Sequence, residues 1–404
     1  MSGNGARVLE KSVSRVAVVT THPIQYQVPW LRRLSASPGI DLHVFFAMIP
    51  DAEEQGREFG VRFEWDIPLL DGYAYSVLEN RSSRPSLTDF FGCDTPQLYR
   101  EIRKGRFDAV IVNGWVVKSC LQALWACRRS GTPCIVRAEV NGLRPRVAWK
   151  RGLHRLLLAQ YSACLSIGSN NRRYLLERGV PAERIFETGY CVDNERFSGQ
   201  AAKWRAETGV AELRRRFGLE SDPATFLFSG KFVEKKRPGD IIEAVRRLAP
   251  ADRERLQVLM VGGGPLGESL QAQAAGLPIQ FAGFLNQSEI TAAYAASDCL
   301  LLPSDSGETW GLVVNEAMAC GLPVIVSDQV GSAADLVQPG CTGHIHACGD
   351  TQGLSMLLAS CARDRASLAR MGAEASAVVR SSYNFDRVVD GVMAALSAIE
   401  EGAT

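Results

Sequence analysis

The chain's 404 residues exceed what one ordinary hydrophobic core holds, and this length predicts two domains. Hydrophobic residues make up 46% and charged residues 22% of the sequence, as in an average globular protein. The formal net charge of +1 gives no reason to expect nucleic acid or a strongly acidic partner, so any anion has to be bound by a local group of charges.

The first fifteen residues, MSGNGARVLEKSVSR, contain no long apolar region, so we expect a short flexible lead and no secretion signal. No later apolar run reaches transmembrane length. Beyond the lead, short apolar runs alternate with helical patterns, which is typical of parallel sheets covered by helices. In the first half, strands are predicted at 16–20, 42–46, 109–113, 134–137 and 164–168, and helices at 29–35, 119–129 and 171–179.

Two stretches break this rhythm. Residues 52–96 carry scattered Gly, Pro and Ser and are interpreted as a loop-rich insertion near a cleft, and residues 196–209 are interpreted as a linker. The alternation then restarts, with strands predicted at 225–229, 257–261, 279–282, 299–302 and 324–327, and helices at 240–248, 287–296 and 312–319. Such a restart predicts two similar α/β halves. Open parallel sheets bind ligands beyond the carboxyl ends of their strands, so we expect the site in the crevice between the halves.

The eleven cysteines are scattered, with no C-x-x-C pair and no close Cys/His cluster. This usage predicts reduced thiols and a cytoplasmic compartment. Several lie in apolar runs, where they are expected to act as small buried hydrophobes: Cys127, Cys164, Cys299 and Cys320.

The densest chemical signal is PSDSGETWGLVVNEAMACGLPVIVSD at 303–328. A predicted strand runs into a loop that carries Glu308, and Glu316 follows eight positions later on the next helix. Unpaired amides at a helix start suit a phosphate, here those of Gly311, Leu312 and Val313. Two carboxylates beside an anion are favourable only if they bind hydroxyl groups, as a sugar or ribose offers. The alternative is that both are surface charges on a helix edge.

A second signal is FLFSGKFVEKKRPGDIIEAV at 226–245, where a strand ends at Gly230. Four cations follow before the next helix, namely Lys231, Lys235, Lys236 and Arg237. Basic groups at a strand end suit a diphosphate, since each charge-assisted hydrogen bond contributes about 1.5–3 kcal/mol. The alternative is an ordinary solvated run of charges.

The segment GGGPLG at 262–267 fits G-x-G-x-x-G, but its context does not favour a dinucleotide site. The preceding strand is not the first of its half, Pro265 occupies the turn, and no acidic residue ends a strand near 281–284. We expect these glycines to let the backbone pass close to a ligand.

Taken together, these motifs resemble family 4 of the retaining GT-B glycosyltransferases over nearly the whole chain. The E-x7-E element from Glu308 to Glu316 is the most specific part, and the other matching motifs are Gly230-Lys231 with Lys236, the loop 262–265, Ala282-Gly283-Phe284 and Tyr383-Asn384-Phe385. The resemblance implies two Rossmann-like domains with parallel sheets facing a central cleft. It places an acceptor-binding domain at 1–195, a nucleotide-sugar domain at 196–382 and a helix crossing back to the first domain at 383–404.

The resemblance also implies residue roles. Glu308 would contact the hydroxyls of the donor sugar, Glu316 would bind the ribose, and Lys231 and Lys236 would neutralise the diphosphate. The implied donor site includes Gly230, Gly263, Phe284 near the base, and the backbone amides of Trp310, Gly311, Leu312 and Val313. Transfer would retain the anomeric configuration, with stabilisation of the leaving group as the main catalytic effect and no metal or other cofactor required.

The chain departs from the family on three points. Lys231 stands where arginine is usual, which keeps the charge but loses the bidentate fork. Thr21–Gln27 replaces a glycine-rich loop, and Arg137-Ala138-Glu139 stands where many members have a histidine. The candidates on the acceptor side are His22, Gln25 and Glu139, for which a purely structural role is the alternative. The acceptor hydroxyl could belong to a glycan, a lipid-linked molecule or a small molecule.

Residues 144–158 combine Arg, Lys, Trp and Leu and could rest on an anionic membrane at the inner face of the cell membrane. The favoured interpretation is a helix that packs its Leu face on the first sheet and leaves its arginines in water. For the whole chain, the alternatives to a transferase are a nucleotide-sugar epimerase of the same fold and an inactive nucleotide-sugar-binding regulator. The intact set of Glu308, Glu316 and Lys236 argues against an inactive protein.

Overall fold

A computed structural model describes residues 13–402, so most of the predicted lead lies outside the described residues. The first domain holds one sheet in which neighbouring strands run parallel, in the order β3-β2-β1-β4-β5-β6-β7. Its strands are β1 Ser14–Thr20, β2 Ile40–Phe46, β3 Ala74–Val77, β4 Ala109–Asn113, β5 Cys134–Arg137, β6 Ala163–Ser166 and β7 Ile185–Glu187. Its helices are α1 Val28–Ser35, α2 Ala52–Gly56, α3 Leu98–Gly105, α4 Lys118–Ser130, α5 Ala148–Leu158 and α6 Ser169–Glu177.

The second sheet is also parallel, in the order β10-β9-β8-β11-β12-β13. Its strands are β8 Ala224–Ser229, β9 Leu256–Val261, β10 Ile279–Gly283, β11 Cys299–Leu302, β12 Val324–Ser327 and β13 Gly343–His346. The remaining helices are α7 Asn194–Glu207, α8 Val210–Arg216, α9 Pro238–Arg247, α10 Pro250–Arg253, α11 Gly267–Gln273, α12 Ile290–Ala296, α13 Leu312–Ala319, α14 Ala333–Leu336, α15 Thr351–Arg363, α16 Arg365–Ser382 and α17 Phe385–Gly402. The predicted pair of α/β domains with parallel sheets is confirmed.

Strand order reverses between β1 and β4 in the first sheet and between β8 and β11 in the second. At such a point the loops that leave neighbouring strands diverge and open a crevice. The loops after β1, β8 and β11, with the start of the helix after β11, carry most of the predicted site residues, so the topology brings these to the cleft.

The predicted linker at 196–209 is wrong, because most of it is the helix α7. Asp193 caps this helix by accepting a hydrogen bond from the backbone N–H of Arg196, with 3.0 Å between the atoms. Phe197 and Ala201 are fully buried in the core of the second domain. A few well-placed apolar residues are therefore enough to anchor a helix whose composition is largely polar.

The last helix, α17, follows α16 on the second domain and packs on α1, β6 and β7 of the first domain. Its residues Val388, Val392 and Leu396 join the buried cluster that contains Val16 and Ile111. None of the helices among residues 13–402 is long and apolar enough to cross a membrane.

The favoured interpretation of residues 144–158 is wrong in one respect. The helix α5 forms there, but within it only Leu158 is buried, while Leu153 and Leu156 face solvent together with Trp149. Leu158 and the partly buried Leu157 pack on the core of the first domain as predicted, whereas the other two leucines of the helix do not. The four cysteines expected in the core, Cys127, Cys164, Cys299 and Cys320, are all buried.

Candidate active site

A cavity of about 560 Å³ lies between the two domains, at the carboxyl ends of both sheets. Every predicted site residue except Gly263 and Arg237 lines it, namely His22, Gln25, Glu139, Gly230, Lys231, Lys235, Lys236, Phe284, Glu308, Trp310, Gly311, Leu312, Val313 and Glu316. The cavity therefore brings together the cations, carboxylates and helix start that the sequence places on separate loops.

The start of α13 faces this cavity. Gly311 caps the helix with φ +91°, a left-handed conformation that glycine adopts without strain. A Cβ atom at Gly311 would lie 2.9 Å from Cδ2 of Leu302, so the site has no room for a side chain. The amides of Leu312 and Val313 belong to the first helical turn, where N–H groups have no intrahelical partner. With no acidic residue in that turn, the helix start suits an anion.

Hydrogen bonds from both domains fix the loop before α13. Gly331 donates its N–H to the carbonyl of Glu308 at 3.1 Å, and the side-chain amide of Asn141 donates to the carbonyl of Thr309 at 2.9 Å. The indole of Trp310 donates to Asn315 at 2.8 Å and is buried beside Tyr190 of the first domain. The Trp310 side chain thus packs at the junction between the two domains.

Glu308 forms an ion pair with Lys236 inside the cavity, and both side chains are about nine-tenths covered. Lys236 ends a 3₁₀ turn, after which Arg237 pairs with Asp240 at 2.7 Å and lies outside the cavity lining. The solvated-charge hypothesis therefore fails for Lys236 and for Glu308. It holds for Lys235, which is exposed, while Arg237 belongs to a separate ion pair.

Glu316 is buried and accepts two phenolic hydrogen bonds. The hydroxyl of Tyr26 donates to Oε1 at 2.9 Å, and that of Tyr294 donates to Oε2 at 2.6 Å. Burial raises the pKa of Glu316, while the two hydrogen bonds act in the opposite direction. The hydroxyls bound to Glu316 in the structure are these two phenols, and its burial means that the surface-charge hypothesis fails for it as well.

The glycine-rich loop after β9 approaches protein backbone. A Cβ atom at Gly262 would lie 1.9 Å from the carbonyl oxygen of Gly230, and one at Gly264 would lie 2.8 Å from that of Phe232. Gly263 is similarly crowded by the carbonyl of Phe59, at 2.4 Å, and does not line the cavity. The glycines thus allow neighbouring loops to touch, which corrects the expectation that they all serve a ligand; Gly262 alone of the three faces the cavity.

Residues 52–96 reach the cleft as predicted, although they include the short edge strand β3, which the sequence analysis missed. The ring of Phe284 lies 4.2 Å from that of Phe63 and 5.0 Å from that of Phe59, measured between centroids. The side-chain amide of Asn286 donates to the carbonyl of Glu64 at 2.7 Å. This segment therefore bridges the domains where the nucleotide base is expected.

The acceptor-side candidates lie on the opposite wall. Nδ1 of His22 is 2.8 Å from Oγ1 of Thr21, and burial lowers the pKa of His22 to about 4, so its imidazole is neutral near pH 7. Glu139 accepts a hydrogen bond from the buried Arg137 at 2.9 Å, and the guanidinium of Arg137 lies 4.5 Å from the Tyr190 ring centroid. Both candidates thus have structural partners and face the cavity as well.

Across the described part of the chain, no group of three or more His, Cys, Asp or Glu side chains is arranged to hold a metal ion. The expectation that no metal is required stays a prediction.

Several residues that build the site are not predicted from the sequence: Tyr26, Tyr294, Asn141, Tyr190, Phe59 and Phe63. Tyr26 lies in the loop after β1, and its position beside His22 is the only signal that could have suggested it. The others pair with residues far away in the chain, so their partners are visible only in three dimensions.

Comparison with known proteins gives two family matches. Residues 24–190 match the glycosyl transferase 4-like domain, and residues 210–378 match the glycosyl transferases group 1 family. Together the two matches cover more than four fifths of the chain.

Among curated proteins, the chain is 33% identical over 203 residues to D-inositol 3-phosphate glycosyltransferase of Geodermatophilus obscurus, covering 46% of this chain and 43% of that protein. It is 31% identical over 199 residues to sulfoquinovosyl transferase SQD2 of Arabidopsis thaliana, covering 48% of this chain and 34% of that one. The matched segments thus span less than half of each relative.

Among solved structures, that of Anabaena Alr3699/HepE in complex with UDP superposes with a TM-score of 0.70 at 16% identity, covering 95% of this chain and 100% of that chain. At this level of identity the similarity concerns the fold, and it agrees with the two-domain arrangement described above.

Proposed function

We propose that this chain transfers a sugar from a nucleoside-diphosphate sugar to a hydroxyl acceptor with retention. The chain belongs to the GT-B glycosyltransferases and joins a glycosyl transferase 4-like domain to a group 1 domain. The observation that carries the proposal is the interdomain cavity, where Lys236, Glu308 and Glu316 meet the start of α13. Cations and free amides suit a diphosphate, and buried carboxylates suit sugar and ribose hydroxyls.

In the proposed complex the diphosphate lies against the amides of Leu312 and Val313, with Lys231 and Lys236 beside it. In the structure described above, Lys236 pairs with Glu308. When the diphosphate takes over that cation, the Glu308 carboxylate becomes available to the donor sugar. Charge that develops on the leaving diphosphate is then met by preorganised donors, which is the largest catalytic effect expected here.

The acceptor would enter from the first domain, along the wall formed by His22, Gln25 and Glu139. Because the lowered pKa of His22 keeps its imidazole neutral near pH 7, we assign it to positioning a hydroxyl by hydrogen bonding rather than to carrying charge. A cytoplasmic location is part of the proposal. It is supported by the eleven cysteines, all of which are free thiols.

Glu308→Gln tests this assignment. We expect it to abolish sugar transfer while nucleoside diphosphate still binds, because the substitution removes the carboxylate charge beside the donor sugar and leaves the phosphate cradle. Normal transfer by this variant would refute the role of Glu308. Release of nucleoside diphosphate that depends on an added acceptor would separate a transferase from an epimerase, which needs none.

A further inference from the structure

The outer face of α5 is apolar and exposed. Trp149 is 66%, Leu153 54% and Leu156 69% exposed. At 3.6 residues per turn, positions i, i+4 and i+7 lie on one side of a helix. Leu158, the buried residue of α5, lies on the opposite side, so the apolar stripe points away from the protein. A helix of a globular protein normally turns such a stripe inward.

Neighbouring loops extend this surface. Val147, which precedes α5, and Val116, which follows β4, are also exposed. The loop that carries Val116 lies against α5, since the ring centroid of Trp115 is 5.2 Å from that of His154 on this helix. We call this surface, made of Val116, Val147, Trp149, Leu153 and Leu156, the α5 patch.

The charges on α5 and in the segment before it have one sign. Arg144, Lys150, Arg151 and Arg155 are exposed on α5 or just before it. From residue 140 to residue 176 the sequence contains no Asp or Glu, although the whole chain is nearly neutral. A partner surface that complements this patch is therefore anionic and accepts apolar side chains.

We propose that the α5 patch docks on an anionic lipid bilayer. A helix with Trp and Leu on one face and Lys and Arg beside them binds in the interfacial region of a membrane, where acyl chains receive the apolar face and anionic headgroups meet the cations. The patch would insert Trp149, Leu153 and Leu156 at the headgroup level. The remainder of the chain would stay outside the bilayer.

The position of α5 links this surface to the cavity. The segment between β5 and α5 carries Glu139, which lines the cavity, and Asn141, which bonds to the loop of Glu308 through the carbonyl of Thr309. A bilayer at α5 would therefore lie next to the acceptor side of the cleft. It follows that the acceptor hydroxyl is carried by a lipid, a step that rests on the proposed function.

The test is co-sedimentation of the full chain with vesicles of phosphatidylcholine alone or mixed with phosphatidylglycerol. Two patch variants are compared with wild type, Leu153→Ser/Leu156→Ser and Lys150→Glu/Arg151→Glu. Matched controls are Met356→Ser, an equally exposed apolar residue on α15, and Arg370→Glu/Arg387→Glu, exposed arginines on α16 and α17.

We expect wild type to bind the anionic vesicles only, each patch variant to lose about tenfold or more in partitioning, and both controls to bind like wild type. Failure of wild type to bind anionic vesicles would overturn the proposal, as would patch variants that bind normally. A wild-type dimer that the Leu variant dissociates, without vesicle binding, would assign the patch to a second copy and also overturn it.

The nucleotide-induced melting shift, measured on the same samples, keeps the two proposals separable. Vesicle binding without any nucleotide shift would refute the donor site and leave the lipid surface standing. A nucleotide-induced melting shift without vesicle binding would refute the lipid surface and leave the donor site standing.

Discussion

The hydroxyl of Tyr26 donates a hydrogen bond to Oε1 of Glu316 across the two domains, with 2.9 Å between the oxygen atoms. Tyr294 occupies Oε2 of the same carboxylate at 2.6 Å. Ribose hydroxyls bound at Glu316 would therefore meet a carboxylate that already has two donors. Because Tyr26 belongs to the first domain, its bond couples the proposed donor site to the relative position of the domains.

We predict that Tyr26→Phe tightens binding of nucleoside diphosphate. The substitution frees Oε1 of Glu316, and an internal hydrogen bond contributes a net ~0.5–1.5 kcal/mol, so the dissociation constant should fall by about two- to tenfold. Isothermal titration calorimetry measures this change. Tyr294→Phe is the matched variant, because it frees Oε2 of the same carboxylate and leaves the domain contact in place, so the difference between the two variants reports the domain contact. Weaker binding by Tyr26→Phe would mean that the phenol contacts the nucleotide itself.

Lys236→Gln is predicted to lower kcat/KM by about ten- to a hundredfold, because a charge-assisted hydrogen bond to a phosphate contributes ~1.5–3 kcal/mol. The substitution also leaves the Glu308 carboxylate without its ion-pair partner beside the phosphates. Steady-state transfer kinetics measure the effect, with Lys203→Gln on the exposed face of α7 as the charge-matched control. Unchanged kinetics in Lys236→Gln would place the diphosphate elsewhere.

Gly311→Ala is predicted to destabilise the fold more than Gly321→Ala. Both glycines have a left-handed φ, for which a side chain adds about 1–2 kcal/mol of strain. A Cβ atom at Gly311 would also crowd Leu302 at 2.9 Å, whereas one at Gly321 meets nothing within 4 Å. The unfolding free energies of the two variants are measured with denaturant, and the difference between their losses gives the contribution of the crowding. Equal losses of stability would contradict the tight packing at the start of α13.

The folded protein is predicted to lose stability as the pH falls from about 6.5 to about 4, in part through His22. The pKa of His22 is about 4 in the folded protein, against 6.5 for an unperturbed histidine, so only the unfolded chain takes up this proton within that window. His22→Gln should make the dependence of the unfolding free energy on pH shallower, by at most about 1.4 kcal/mol per pH unit. Glu316, whose pKa is raised, acts with the opposite sign and is present in both proteins.

The control for this measurement is His344→Gln. The pKa of His344 is also lowered by burial, and this partly buried histidine lies outside the cavity lining, so the variant shows how much the slope changes when such a histidine is removed elsewhere. Identical slopes for wild type and His22→Gln would show that His22 takes up its proton at a similar pH in both states.

Much of the fold was predictable because most strands are short, continuous apolar runs. The strand β11 and the helix α13 have the bounds that the sequence predicts, since Cys299–Leu302 is wholly buried and Gly311 marks the helix start. The strand β3 was missed because it lies at the sheet edge and is largely exposed. The orientation of α5 could not be predicted either, because the sequence pattern of a Leu stripe is the same whether the stripe faces a core or solvent.

The site, too, was predictable in part: residues close together in the sequence could be placed together, but contacts between the domains could not. Glu308 and Glu316 lie on one segment, so their shared location follows from the spacing along the chain. The partners Tyr26 and Asn141 are separated from α13 and its loop by well over a hundred residues, and only the docking of the two domains brings them together. Residue chemistry could thus identify the donor side, whereas the contacts across the cleft needed the structure.

The most direct test of the central claim is the thermal stability of wild type and Glu316→Gln against a panel of nucleoside diphosphates and their sugars. A ligand at a hundred times its dissociation constant stabilises the folded protein by about 2.7 kcal/mol, which shifts the melting temperature measurably. The account predicts a shift with one nucleotide base, smaller in Glu316→Gln because the ribose contact is weakened. No shift with any nucleoside diphosphate or nucleotide sugar would contradict the donor site between the domains.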